Sequence, residues 1–310
     1  MIAAMSTTPA KTDPVELILK EGAQLPSLPE VLLKLDRELA SEDADLQKIA
    51  KLVGMDPVLS GQILRLANST WYNPGGKPIQ DLSRALVRLG IPTTRELVHA
   101  LVIPALFPKG GSAIDLTKFW RHSFAVALFA QAIGKRLHLD RKEMEVLWTA
   151  GLLHDIGVLV FDLLSKENFR RILKLCQEDP FAEPDAEMVG VDLLALEREW
   201  LGSDHASLGS VFLQKYWKLP DPIIWCVRYH LELGWALEEP DAIKSILPIH
   251  VANTLCEERG ETWVPLRARR SSHLGEAWKK MGFSEKDAEE MAAEVDVALE
   301  KSDQLLAASG

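Results

Sequence analysis

The stretch Ala150-Gly151-Leu152-Leu153-His154-Asp155-Ile156-Gly157 decides how this chain is read. Together with Val158-Leu159-Val160-Phe161 it is apolar at nearly every position, the pattern of a helix buried on all sides. The helix is expected to carry His154 and Asp155 and to stop at Gly157. An imidazole and a carboxylate in such surroundings each need a partner, because an unpaired buried polar group costs roughly 2–7 kcal/mol. Adjacent helical residues point about 100° apart, so one ligand can hold both only from the rim of a cleft. A divalent cation is the simplest partner for a neutral imidazole and an ionised carboxylate. Hydrogen bonds to nearby backbone are the alternative.

Outward from that stretch, the chain reads as helices throughout. Toward the N-terminus, a helix over 115–137 carries Trp120-Arg121-His122-Ser123, with His122 among Phe119, Ala125, Val126 and Phe129. Toward the C-terminus, helices are expected over 166–178 and 185–201, joined by the acidic turn Glu178-Asp179-Pro180. Ser203 or Asp204 then caps a helix that holds His205 and runs to Lys218. Asp221-Pro222 opens a helix that ends at Arg228-Tyr229-His230, and His250 and Asn253 lie within a helix over about 241–258. Residues 261–271 read as a loop, and 284–305 as an amphipathic acidic helix.

The first 105 residues or so follow a plainer pattern. A tail over 1–13 is followed by Ser27-Leu28-Pro29-Glu30, a capping box before the stripe Val31, Leu32, Leu35 and Leu39. Asp45 and Asp56-Pro57 open two further helices. Trp71 to Pro78 is a loop by its Pro and Gly content. A short helix over 81–89 ends at Gly90, and another over 93–107 bends at Pro104. Pro108-Lys109-Gly110-Gly111-Ser112 is the best internal boundary. The expectation is an all-α fold: a tail and lead-in over 1–19, an N-terminal short-helix subdomain over 20–108, a second helical subdomain over 113–258, and an extension over 259–310.

Composition narrows the function. The 310 residues are 47% hydrophobic and 26% charged, as in an ordinary soluble globular protein. A formal net charge of −10 disfavours nucleic acid as a partner, since phosphate neutralisation needs clustered Lys and Arg. The one dense basic patch, Arg267-Ala268-Arg269-Arg270, reads as a solvated loop. Cys176, Cys226 and Cys256 have no metal-knuckle spacing and suit a reducing cytoplasm. Residues 1–10 lack the apolar core of a signal peptide, and no run of about 18 apolar residues suggests a membrane span.

His122, His154-Asp155, His205, His230, and His250 near Asn253 thus fall on successive helices, as inward-pointing metal ligands do in helix bundles. The series resembles the HD superfamily of metal-dependent phosphohydrolases, whose ligands run His, His-Asp, Asp. It is more closely similar to the HDOD family, the HD-related output domains of bacterial signalling proteins. Leu25-Pro26-Ser27-Leu28-Pro29-Glu30-Val31, Ile49-Ala50-Lys51-Leu52-Val53, Asp56-Pro57 and Leu64-Arg65-Leu66-Ala67-Asn68-Ser69 carry that likeness. So do Ile79 to Gly90, Trp120-Arg121-His122-Ser123, Gly151 to Gly157, Asp204 to Gly209, and Tyr229-His230, over about residues 20–255 in all.

The resemblance implies that the second subdomain is HD-like. It puts His122, His154 and Asp155 at the HD ligand positions, and His205 and His230 at those of the extra histidines of HD-GYP phosphodiesterases. Asp204, His250 and Asn253 are further candidates. Two departures stand out: Asn253 takes the place of the last HD Asp, and Val158 that of a Lys. The Gly-Tyr-Pro stretch is replaced by Leu231-Glu232-Leu233-Gly234-Trp235. The resemblance therefore implies a module that is not catalytic, or only weakly active, and acts on signalling proteins, with a residual site for iron, manganese or zinc. The alternative is a metal-dependent phosphohydrolase or phosphodiesterase with a nucleotide substrate, in which Asp155 bridges the ions.

Overall fold

The computed structural model describes residues 25–41, 43–107, 110–177, 193–233, 237, 239–263, 274–284 and, in part, 286–303. Among these residues all regular structure is helical, as expected. The tail and lead-in over 1–19, the acidic turn at 178–180, the first part of the expected 185–201 helix and the basic stretch 267–270 lie outside them.

Four helices form the N-terminal part: α1 (Glu30–Ala40), α2 (Leu46–Gly54), α3 (Pro57–Ala67) and α4 (Leu82–Ala105). Asp45 accepts a hydrogen bond from the Gln47 amide, and Asp56 from the Val58 and Leu59 amides, which satisfies helix-start donors without help from the fold. The capping box expected at Ser27 does not form. Pro29 takes the cap position of α1 in an extended conformation, which leaves Ser27 outside the helix. Gly90 has φ +76°, so α4 is two helical pieces joined across a kink that a residue with a side chain would resist.

The second part contains α5 (Leu116–Arg136), α6 (Arg141–Leu153), α7 (Ile156–Leu164), α8 (Lys166–Gln177), α9 (Leu193–Leu201) and α10 (His205–Phe212). A π-helical turn over Leu213–Trp217 continues α10 and ends at Lys218, where φ is +52°. Then follow α11 (Asp221–Tyr229), α12 (Pro240–Lys244), α13 (Ile246–Glu258) and α14 (Leu274–Lys280). The helix expected over 241–258 is thus split at Ser245.

The central stretch also differs from expectation. His154 and Asp155 do not ride on one helix: α6 ends at Leu153, Asp155 takes φ −99° and ψ 13°, and α7 starts at Ile156. The break redirects two side chains that a continuous helix would splay apart. Gly157 ends no helix. A Cβ there would lie 1.9 Å from the His205 carbonyl oxygen, so its role is to let the backbone of α7 touch that of α10. Gly151 does the same between α6 and α5, where a Cβ would meet Ala127 Cα at 2.5 Å. By length and mean hydropathy (1.6), Arg141–Leu164 could cross a bilayer, but 83% of its apolar window is buried inside the protein.

The apolar core runs without interruption from α1–α4 into α5–α10. A second apolar cluster joins α5 and α6 to α11, α13 and α14. A polar seam locks the N-terminal helices onto α6. Asp36 accepts from His99 Nε2 (2.7 Å) and Arg95 Nε (3.3 Å), Arg95 also pairs with Glu145, and Arg141 donates to the Leu39 carbonyl (2.7 Å). Trp217 Nε1 donates to the Pro26 carbonyl at 2.8 Å.

Candidate metal centre

Five side chains from separate parts of the chain meet in the second part: His122 from within α5, His154 and Asp155 from the break between α6 and α7, His205 from the start of α10, and His230 from the end of α11. All five are buried, with His154 and His230 at 0% exposure and none above 4%. The ligand atoms fall into two groups that share Asp155, one with His122 and His154, the other with His205 and His230; within each, all lie within 4.8 Å of one another.

The tautomers follow from the outer partners. The Nδ1 of His122 faces the Glu261 carbonyl (2.6 Å), that of His154 the Gly151 carbonyl (2.8 Å), and that of His230 the Val227 carbonyl (2.8 Å). His205 Nδ1 faces the Glu197 carboxylate at 2.7 Å. Carbonyls and carboxylates only accept, so each Nδ1 carries the proton and each Nε2 turns its lone pair inward. Inside, Asp155 Oδ2 lies 3.2 Å from His154 Nε2 and 3.8 Å from His122 Nε2. Asp155 Oδ1 lies 3.2 Å from His230 Nε2 and 3.4 Å from His205 Nε2.

This donor set fits a divalent cation. His122 and His154 turn their Nε2 atoms toward each other at 3.2 Å, a contact that needs either one proton or a cation between the two nitrogens. Ligand bonds of about 2.1 Å give tetrahedral ligand edges of roughly 3.4 Å, which matches these separations. Asn253 Oδ1 is buried without a hydrogen bond to the protein. Without an ion, protons take up the charge. Burial disfavours the charged form of His154, but Asp155 and the Gly151 carbonyl outweigh it and raise the pKa. Burial is likewise outweighed at His205, raised well above its ordinary value by Glu197 and Asp155. Burial, with the charge on His154, pushes His122 down to about 3, and burial lowers His230 despite Asp155. Each group thus pairs one imidazole whose charged form is favoured by its neighbours with one whose charged form is disfavoured. Asp155, against the pull of burial, is held well below the usual carboxylate range by His154 and the other rings.

Of the remaining candidates, Asp204 and His250 stand apart and Asn253 borders the cluster. Asp204 caps α10, accepting from the Ser207 amide (2.7 Å) and Arg198 Nε (2.7 Å). Those bonds overcome burial and lower its pKa to about 2, and they turn it away from the cluster. His250 donates to the His230 carbonyl (2.6 Å), supporting the end of α11 from behind. Asn253 is buried beside His122 and Glu257. Val158 is packed in apolar core, so no cation stands where a hydrolase of the fuller pattern carries Lys.

Three neighbours escaped the sequence reading. Glu197 is fully buried and holds both the ring and the backbone amide of His205. It sits in Leu-Glu-Arg-Glu, where nothing distinguishes it from a solvated helix face. Glu257 lies one turn after Asn253, and burial together with the Asp155 charge raises it to about 7. Its spacing from His250 and Asn253 was the available signal. Trp263 donates its indole N–H to Asp155 Oδ2 at 2.6 Å, and a lone tryptophan in a loop was its only mark.

The family model of the HDOD domain matches residues 25–233. The chain belongs to the HDOD family. A crystal structure of an HDOD domain protein from Geobacter sulfurreducens is similar, with a TM-score of 0.77 and 24% identity over 94% of this chain and 97% of that one. A Shewanella amazonensis structure, named as a proposed phosphohydrolase, gives a TM-score of 0.69 and 25% identity over 95% and 99% of the two chains. A Treponema pallidum protein of uncharacterised function is 25% identical over 215 residues, 69% of this chain. The match covers 39% of that curated relative, so this HDOD chain spans well under half its length. The HDOD match ends before His250, Asn253, Glu257 and Trp263, so the far wall of the cluster lies beyond it.

Proposed function

We propose that this HDOD protein is a signalling module that works through protein partners, and that its His/Asp cluster binds a divalent ion such as iron, manganese or zinc for shape rather than for turnover. The observation that carries this reading is the burial of the whole ligand set, from 0% for His154 to 4% for Asp155 and His205. In this closed arrangement a phosphoester does not reach the ligands. Two chemical departures agree. Asn253 offers a neutral amide where a second carboxylate would anchor an ion, and Val158 offers nothing to a phosphoryl group gathering charge. A divalent ion bound there would supply positive charge, and in an open site it would activate water.

The chain's own residues do the holding. Glu261, Gly151, Val227 and Glu197 fix the rings so that the Nε2 atoms face the Asp155 carboxylate, which presents one oxygen to each pair. A cation must displace any proton on the inward Nε2 atoms, so binding should strengthen as pH rises. The cluster then ties α5, the α6–α7 break, α10 and α11 together, and a partner reading their outer faces would sense whether it is filled. The kinship with bacterial output domains supports this reading, and a cytoplasmic setting suits it.

The test is elemental analysis of purified protein and of His154→Ala, together with hydrolysis assays on cyclic dinucleotides and a generic phosphodiester. Wild type should retain iron, manganese or zinc, His154→Ala should lose it, and neither should turn over substrate above background. Metal-dependent hydrolysis that vanishes in His154→Ala would establish the enzyme reading instead.

A further inference from the structure

We infer that residues 261–263 form a latched strap that seals the His/Asp cluster, with Trp263 as the plug and Arg121 as the latch. The strap touches the cluster twice. The Glu261 carbonyl accepts from His122 Nδ1 at 2.6 Å, and Trp263 Nε1 donates to Asp155 Oδ2 at 2.6 Å. That oxygen is the one Asp155 turns toward His122 and His154. The indole ring lies edge-on to His205 (centroids 6.4 Å apart) and packs on Phe119 and Phe169 (6.2 and 6.5 Å). It therefore stands over both groups of ligands at 8% exposure.

The latch is polar and lies nearer the surface. Arg121 pairs with Glu261 on the strap and, at 2.6 Å, with Asp303 of the C-terminal extension, whose side chain is 55% exposed. An apolar plug held by an ion-pair network that is only partly buried (27% exposed at Arg121, 24% at Glu261) can open without unfolding the bundle, because the network is the weakest part of the assembly. The strap lies outside the residues that match the HDOD family. Regulation of the cluster is thus placed in this chain's extension: whatever draws Asp303 or Glu261 away from Arg121 exposes the imidazoles. The inference extends the metal reading but does not need an ion to be tested.

The experiment is histidine labelling with diethyl pyrocarbonate on the metal-free full chain, mapped by mass spectrometry, with exposed His138 as the internal reference. It compares wild type with Trp263→Phe, which keeps an aromatic body and loses the N–H, and with Arg121→Ala, which only frees the latch. In wild type, His122 and His205 should label far more slowly than His138. In both variants the ratio should rise roughly tenfold, the equivalent of one hydrogen bond to a charged group. Manganese uptake, followed in parallel, should speed up in both variants. Cluster histidines that stay as protected in both variants as in wild type would overturn the strap, as would wild-type labelling as fast as His138. Opening on labelling without any manganese uptake would uphold the strap and strike the metal reading alone.

Discussion

The N-terminal helices and the cluster half solve opposite problems with the same kind of element. In α1–α3 the buried side chains are Leu, Ile, Val and Ala, and polar groups stay at caps or on the Asp36 seam. In the second half, five imidazoles and the Asp155 and Glu197 carboxylates are buried among Phe and Leu. The first region is stabilised by removing apolar surface from water. The second gives up part of that gain to keep a ligand set in place, since buried charges stabilise a fold little or not at all. The difference teaches where stability and site can be separated by mutation.

The largest expected effect is at Gly157, where the two backbones of the site touch. Gly157→Ala must push α7 off α10, at a cost of about 4 kcal/mol or more. Urea unfolding should show it, with loss of metal in the same protein. If Gly157→Ala is as stable as wild type, the close contact does not hold the site. Next, Leu35→Ala should cost about 2–5 kcal/mol, as truncation of a fully buried leucine does. Its metal content should match wild type. A parallel loss of metal would mean that the two regions are not separable.

The smallest effect is a dependence on pH. Glu257 has its pKa raised, chiefly by burial and then by Asp155, from 4.5 to about 7. A carboxyl with a raised folded pKa favours the fold when protonated, so its contribution is present at low pH and fades as pH rises through about 7. In the metal-free protein, Glu257→Gln should melt with wild type below pH about 4.5 and above it at pH greater than about 7. Equal melting across that range would mean that Glu257 is well solvated.

The sequence by itself determined the all-helical class and the caps at Asp45 and Asp56, and it put forward the five residues that meet, with Asp204, His250 and Asn253 beside them. Those signals are local: a carboxylate before an apolar run, or a histidine inside one, is visible within a few residues. It also suggested one helix through His154 and Asp155, because apolar periodicity does not register a break of a single residue. Only the tertiary structure decided that Asp155 turns between four rings, that Glu197 orients His205 and that Trp263 covers them. Glu197 lies 8 residues from His205 along the chain, and Trp263 lies 108 from Asp155. Their residue types are ordinary ones for a helix face and a loop, so nothing short of the packed backbone marks them out.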